Sequence, residues 1–344
     1  MFLTGTLGYI GSIINHFLVE KGFNVVGLDA GFFPENCFYR EDVWQSRTRM
    51  QRLIRKDIRD IDADDLRGCD AVVDFAGLAN DPSGELNPRW TDEINHEASV
   101  NLAQLAKKNG IGRYIFASSC SVYGARGDQM LTEDSPVEPI SEYAKAKVAT
   151  ERDVLPLVGR DFSITILRNA TAFGASPRMR LDLVVNNLAA YGYTTGVVKI
   201  LSDGTAWRPN VHIEDIARAV VACLESTPDD LGGNVFNVGM DSENHQVREL
   251  ASIVSAVMPQ CTVEIAKDAS KDPRSYRVSF SKISKLKSYR PKWTVSKGVQ
   301  ELRDAFEVNG LTYESFQAAD YHNVRKIQEL ITSERFDGTL RFKL

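Results

Sequence analysis

The stretch Thr4-Gly5-Thr6-Leu7-Gly8-Tyr9-Ile10-Gly11 constrains this chain more than any other. It follows a short apolar run, Phe2-Leu3, and leads into a helical pattern, Ile10 to Lys21. Glycine at the spaced positions lets the backbone turn tightly, approach a pyrophosphate, and pack helix close on strand. The helix N-terminus then offers N–H groups and the positive end of its dipole to an anion. Such glycine spacing arises by chance in roughly one chain of this length in ten, so the strand before it and the helix after it carry the weight. Together they predict a dinucleotide-binding βαβ unit.

The sequence that follows keeps this rhythm. Asn24 to Asp29, Ala71 to Phe75, Arg113 to Ala117 and Ser163 to Leu167 are β-branched or apolar runs that predict buried strands. Between them, Thr91 to Asn109 and Ser141 to Leu157 carry the periodicity of amphipathic helices, with Gly110 as a stop after the first. Alternation of this kind predicts an α/β fold, a Rossmann-type doubly wound parallel sheet, over residues 1–174. Beyond Gly174 the pattern loosens into loops rich in Pro, Arg and Asn, with short strands at Val197 to Leu201, Asn234 to Val238 and Thr262 to Ile265. Residues 175–344 are therefore expected to form mainly a smaller α/β substrate-binding lobe, some segments returning to the first domain, with a cleft between the two.

Asp29 ends the second strand, at the distance from the glycines where a carboxylate accepts hydrogen bonds from an adenine ribose. A carboxylate there repels a 2′-phosphate, so NAD is expected over NADP; an Asp capping the next loop is the plainer alternative. The candidate cofactor contacts are Gly5, Leu7, Gly8, Tyr9, Ile10 and Gly11, then Asp29, Asp57 and Ile58, then Ala76 and Gly77 after the strand Ala71 to Phe75. Asp57 lies in a charged loop, where simple solvation is the competing explanation.

Of the 11 tyrosines, only Tyr143 has a lysine, Lys147, one helical turn further on. On a helix the two side chains share a face. A neighbouring ammonium favours the phenolate and lowers a tyrosine from its usual pKa of ~10, which makes it a usable acid/base. Spacing alone is equally met by an amphipathic helix with a snorkelling lysine. The strand Tyr114 to Ala117 decides between them, because it runs into Ser118-Ser119-Cys120-Ser121-Val122-Tyr123-Gly124 and so delivers hydroxyls to the crevice at the C-terminal ends of the strands. Ser119 there can hydrogen-bond the oxygen that Tyr143 protonates or deprotonates. Ser119, Tyr143 and Lys147 are the candidate catalytic residues.

T-G-x-x-G-Y-I-G-S, A-S-S-x-S-V-Y-G and Y-x-x-x-K in one chain resemble the extended short-chain dehydrogenases/reductases over nearly its whole length. The resemblance implies tightly retained NAD, a nucleotide-diphosphate sugar as substrate, and a homodimer built on the helices before and bearing Tyr143. It gives Arg208, in Trp207-Arg208-Pro209-Asn210-Val211-His212, and Arg274 the task of clasping the diphosphate, for which a guanidinium fork is suited. It places sugar and phosphate contacts in Ser176 to Asn187, where Asn186 matches best and Arg178 and Arg180 are further candidates, and it sets Ser119, Cys120 and Ser121 beside the sugar. His212 and Asp215 are read as structural. Thr171 stands where many relatives carry Asn. The family's sugar dehydratases use adjacent Asp and Glu after the catalytic hydroxyl residue; Cys120 and Ser121 occupy those positions here and stay largely protonated at neutral pH. The expected reaction is therefore transient oxidation at a ring carbon, C4, followed by epimerisation, with release of a keto or reduced sugar as the alternative and a noncatalytic NAD-binding regulator as the alternative of another class.

Composition narrows the setting. With a net charge of -5 and no basic run, the 344-residue chain has no footprint for nucleic acid. No apolar run reaches the ~18 residues of a membrane span, and no signal core opens the sequence, so a cytoplasmic enzyme is expected. The 5 cysteines, Cys37, Cys69, Cys120, Cys223 and Cys261, form no C-x-x-C pair, which argues against a disulfide framework or a metal site. From Asp29 follows an expected outcome: the protein binds NAD far more tightly than NADP, and Asp29→Ala narrows the gap. Titration of both dinucleotides checks it; equal affinities in the unmutated protein would remove the role given to Asp29.

Overall fold

Near-continuous apolar runs make poor solvent-facing strands and good buried ones, and such runs, with the half-buried edge strand Arg52–Arg55, form the seven strands of one sheet. In the computed structural model, which describes residues 1–33, 38, 50–227, 231, 234–270, 272 and 274–343, these are β1 (Phe2–Thr4), β2 (Val26–Asp29), β3 (Arg52–Arg55), β4 (Ala71–Asp74), β5 (Arg113–Ser119), β6 (Ser163–Asn169) and β7 (Asn234–Val238). All pairings are parallel, in the order β7-β6-β5-β4-β1-β2-β3. The order reverses between β1 and β4, and this switch point opens the crevice where α/β sheets bind ligands. Helices α1 (Gly11–Glu20), α2 (Ala98–Lys108) and α3 (Glu142–Val154) cover the sheet. The expected helix Thr91 to Asn109 is in fact Pro88–Asp92, a π-helical turn Glu93–Glu97, then α2. Within that turn Asn95 pairs both ways with the backbone of Leu78, accepting at 2.7 Å and donating at 3.0 Å, and so fixes the loop after β4.

The second lobe is built on the strands Thr171–Phe173, Trp207–His212 and Asn244–Gln246, a parallel pair Val197–Ser202 with Thr262–Ser270, and the helix Val184–Thr195. Chain order and spatial order part company twice. β7 crosses back to the large sheet beside β6. The C-terminal residues Ile327, Leu330, Phe336 and Leu340 join the apolar cluster under β1 and β2 with Phe2, Leu28 and Ile58. Phe336 packs on Phe32 with ring centroids 4.9 Å apart, and Arg59 donates to the Thr339 carbonyl at 2.7 Å. His212 and Asp215 are structural here: His212 stacks on Trp293 at 4.0 Å and bonds Glu301, while Asp215 accepts from the amides of Lys292 and Trp293. Among the described residues Cys69, Cys120, Cys223 and Cys261 are buried and unpaired; Cys37 lies outside those residues.

Candidate active site

The glycine turn is held by contacts that tolerate no side chain. Gly5 has a φ of +65°, and a Cβ there would stand 2.7 Å from the Phe75 carbonyl oxygen; one on Gly11 would overlap the Gly5 carbonyl. Thr4 locks β1 to β4, donating to Asp74 Oδ1 at 2.6 Å while its hydroxyl accepts from the amides of Phe75 and Ala76, both at 3.0 Å. Gly5, Gly8, Tyr9, Ile10, Gly11, Asp29, Asp57, Ile58, Ala76 and Gly77 all border one slot of about 150 Å³. Leu7 does not border it. Its amide instead donates to Asp29 Oδ2 at 3.0 Å, and Asp29 Oδ1 accepts from Gly31 at 2.8 Å, so Asp29 also braces the glycine turn. The Tyr9 hydroxyl donates to the Gly174 carbonyl at 2.8 Å.

A larger cleft of about 1000 Å³ adjoins the slot, and Ser119, Ser121, Tyr143 and Lys147 line it. Ser119 ends β5 and caps a short 3-10 turn, accepting from the Ser121 amide at 3.2 Å and the Ser121 hydroxyl at 3.0 Å. Tyr143 sits in the first turn of α3, which Ser141 caps by accepting from Ala144 and anchors by donating to Asp81 at 2.6 Å. One turn on, Lys147 is 4% exposed and its ammonium lies 4.5 Å from the centre of the Phe116 ring. It has no hydrogen-bond partner among the described residues. Burial draws Lys147 down to about 8, against the pull of Asp74 and Glu151. Burial, reinforced by Asp81, pushes the Tyr143 phenol up to about 12, while its hydrogen bond with Ser119 and the charge of Arg180 act in the opposite direction. The depression of Tyr143 by Lys147 expected from spacing is thus not what this geometry gives; desolvation of both groups outweighs their proximity.

In the same cleft Arg208 and Arg274 share one carboxylate, Asp272, at 2.6 and 3.1 Å, and Arg274 also reaches Asp81, which anchors Ser141, at 3.0 Å. Three expected sugar contacts stand elsewhere. Cys120 is fully buried, donating to the Arg168 carbonyl, and burial pushes its thiol well up. Asn186 is also fully buried, tying Gly174, Tyr9 and Arg180 together; its neighbour Asn187 is the one in the cleft wall. Arg178 borders the slot, its guanidinium 4.2 Å from the Phe33 ring and bonded to Asn323 at 2.7 Å. Sequence reasoning missed Asn169, which lines the cleft beside Ser119 and whose side-chain carbonyl has no hydrogen-bond partner among the described residues, and Asp81 and Asp182, which no spacing pattern marks.

The residues fit a dinucleotide: a side-chain-free turn on one wall of the slot, a carboxylate at the end of β2, and an unpartnered buried ammonium beyond it. Fold and slot define a Rossmann-type dinucleotide-binding protein. A family model described as the NAD dependent epimerase/dehydratase family matches residues 1–239, and the chain belongs to that family of NAD-dependent enzymes. It is similar to the UDP-glucose 4-epimerase of Bacillus subtilis, 25% identical over 331 residues, spanning 88% of this chain and 94% of that one. It is 24% identical over 314 residues to the UDP-glucuronate 4-epimerase of Thermodesulfobacterium geofontis, spanning 87% and 93%. The solved UDP-glucuronic acid 4-epimerase from Bacillus cereus, in complex with UDP-glucuronic acid and NAD, superimposes with a TM-score of 0.76 at 25% identity, covering 89% of this chain and 98% of that one.

Lys147 holds its proton below about pH 8 and loses it above, whereas in the unfolded chain it stays charged up to 10.5. The unfolded state binds more protons across that window, so this group adds stability as pH rises while the ammonium disappears from the site. The expected result is a kcat/KM that falls as pH passes about 8, with no such limb in Lys147→Met. Tyr143→Phe should reduce turnover by roughly two to four powers of ten with dinucleotide and substrate binding nearly intact. Unchanged turnover in Tyr143→Phe would show that another group moves the proton.

Proposed function

We propose that the enzyme epimerises a nucleotide-diphosphate sugar at C4 by transient oxidation. The observation that carries this reading is a single cleft lined both by Ser119, Tyr143 and Lys147 and by the Arg208–Arg274 pair. Bound NAD supplies the hydride acceptor and donor. The chain's own groups do the rest: Arg208 and Arg274 exchange carboxylate contacts for the diphosphate and so fix the sugar's reach, Ser119 hydrogen-bonds the C4 oxygen, and Tyr143, brought to its phenolate in the loaded site by the positive charges of Lys147 and the oxidised cofactor, removes its proton and later returns it. Rotation of the keto sugar before hydride returns inverts C4; release before return gives the keto product, the alternative outcome of the same three residues. Loss of water finds no support at Cys120, whose buried thiol faces the Arg168 carbonyl, or at Ser121, whose hydroxyl donates to Ser119.

The substrate class is read from the relatives above, which act on UDP-glucose and UDP-glucuronate. A cytosolic homodimer belongs to the same proposal. Of the apolar residues of α2 and α3, Leu102, Ala106 and Val154 are buried within the subunit, whereas Val100, Leu105 and Val148 are partly exposed. A seam on these helices would combine those side chains with exposed polar groups such as Gln104, Lys108, Lys145 and Arg152. No helix among the described residues is long and apolar enough to cross a membrane.

Incubation with UDP-, dTDP-, GDP- and CDP-sugars should give C4 epimers of unchanged mass, or 4-keto sugars lighter by two hydrogens, in either case with the C6 oxygen retained. Mass spectrometry with chromatographic separation of epimers distinguishes them. Steady loss of one water from any of these sugars would contradict the reading of Cys120 and Ser121.

A further inference from the structure

The slot and the cleft meet along a short passage. Residues that border both are Ile10 of the glycine turn, the stretch Phe75 to Ala79, and Arg180. Arg180 is the one charged side chain among them. A dinucleotide whose adenosine fills the slot and whose nicotinamide reaches Tyr143 and Lys147 has to carry its diphosphate through this passage, against the N-terminus of α1. The passage therefore has backbone amides on one wall and a single guanidinium on the other.

Arg180 is built into place. It is 5% exposed, and its Nε and Nη2 donate to Asp182 at 2.9 and 3.0 Å. Its Nη1 has no hydrogen-bond partner among the described residues, so a buried cation keeps one donor group for the passage. Asp182 is itself fixed from both sides: it accepts from the Asn323 amide at 3.1 Å and from Asn80 Nδ2 at 3.4 Å. Asn80 belongs to the first domain, Asn323 to the C-terminal segment, and Arg180 and Asp182 to the loop between the lobes. Three parts of the chain thus converge on the orientation of one guanidinium. Arg208 and Arg274, by contrast, border the larger cleft alone.

We infer that Arg180 binds the diphosphate bridge of the dinucleotide, closing the passage opposite the glycine turn, with Asp182 as its positioning residue. The inference rests on the NAD site described above. Calorimetric titration of the full-length protein with NAD, AMP and UDP tests it. Arg180→Gln should weaken NAD by about 10- to 100-fold and leave UDP within about twofold, as expected for loss of a charge-assisted contact at one ligand. AMP, which has no bridge, should change less than NAD. Because a buried arginine can also support folding, Asp182→Asn provides a second variant: it keeps Arg180 but loosens its positioning, and should weaken NAD less than Arg180→Gln does while leaving UDP unchanged. Weakened UDP with unaltered NAD in Arg180→Gln would overturn the inference and assign Arg180 to the substrate. So would weakened NAD in Asp182→Asn with unchanged affinity in Arg180→Gln. Failure of the unmutated protein to bind NAD would instead overturn the cofactor site itself.

Discussion

The buried pair of Glu151 and Arg168 sets the relation between the catalytic helix and the sheet. Arg168 lies on β6 and donates Nη2 to Glu151 Oε2 at 2.7 Å and Nε to Oε1 at 3.0 Å, while Ser118 on β5 donates to Oε1 at 2.5 Å. Glu151 follows Lys147 by one turn as Lys147 follows Tyr143, so the same helical face that carries the chemistry is clamped to the two strands beneath it. Both partners are almost wholly buried. Removing one would leave a buried charge uncompensated at a cost of ~3–5 kcal/mol, which makes the position of the helix hard to vary. Ser119 follows directly on the clamped Ser118, and Tyr143 sits two turns before Glu151. Their mutual geometry therefore depends on an ion pair that touches neither ligand.

Around this frame, charge is concentrated locally and balanced locally. The protein is acidic overall, yet its ligands are anions, and the three buried or half-buried arginines proposed to meet phosphate are each paired with a carboxylate: Arg180 with Asp182, Arg208 and Arg274 with Asp272 and Asp81. Such pairs keep guanidinium forks oriented before a phosphate arrives and give way to it by exchanging partners rather than by moving the backbone. Lys147 is held differently. Phe116 and Tyr143 surround its ammonium with ring faces, which leaves its hydrogen bonds to be made by a ligand.

Much of this was legible in the sequence because it is local. The glycine turn, Asp29 at the end of β2, Ser119 at the end of β5 and the Tyr143–Lys147 step on α3 each follow from one element and its terminus. What escaped depends on contacts between distant segments. Asn186 and Asn187 are neighbours, and a pattern match cannot tell which faces the cleft; the helix phase buries Asn186 under Tyr9 and turns Asn187 outward. Arg178 and Arg180 both precede the same helix, and only the fold sends the first to the slot beside Phe33 and the second to the passage. The return of Phe336 and Leu340 to the first domain carries no periodic signal at all. The expected lowering of Tyr143 failed for a related reason, because burial is a property of the assembled site and not of the Tyr143–Lys147 spacing.

In this mechanism the C4 hydrogen leaves and returns within one cleft. A nucleotide sugar deuterated at C4 tests it most directly, with the enzyme run in ordinary water until both epimers are present and the label then located by mass spectrometry and NMR. The account predicts that deuterium is retained at C4 in substrate and product alike. Loss of the label to solvent would contradict it, because proton exchange at carbon would then replace transient oxidation as the chemistry of the cleft.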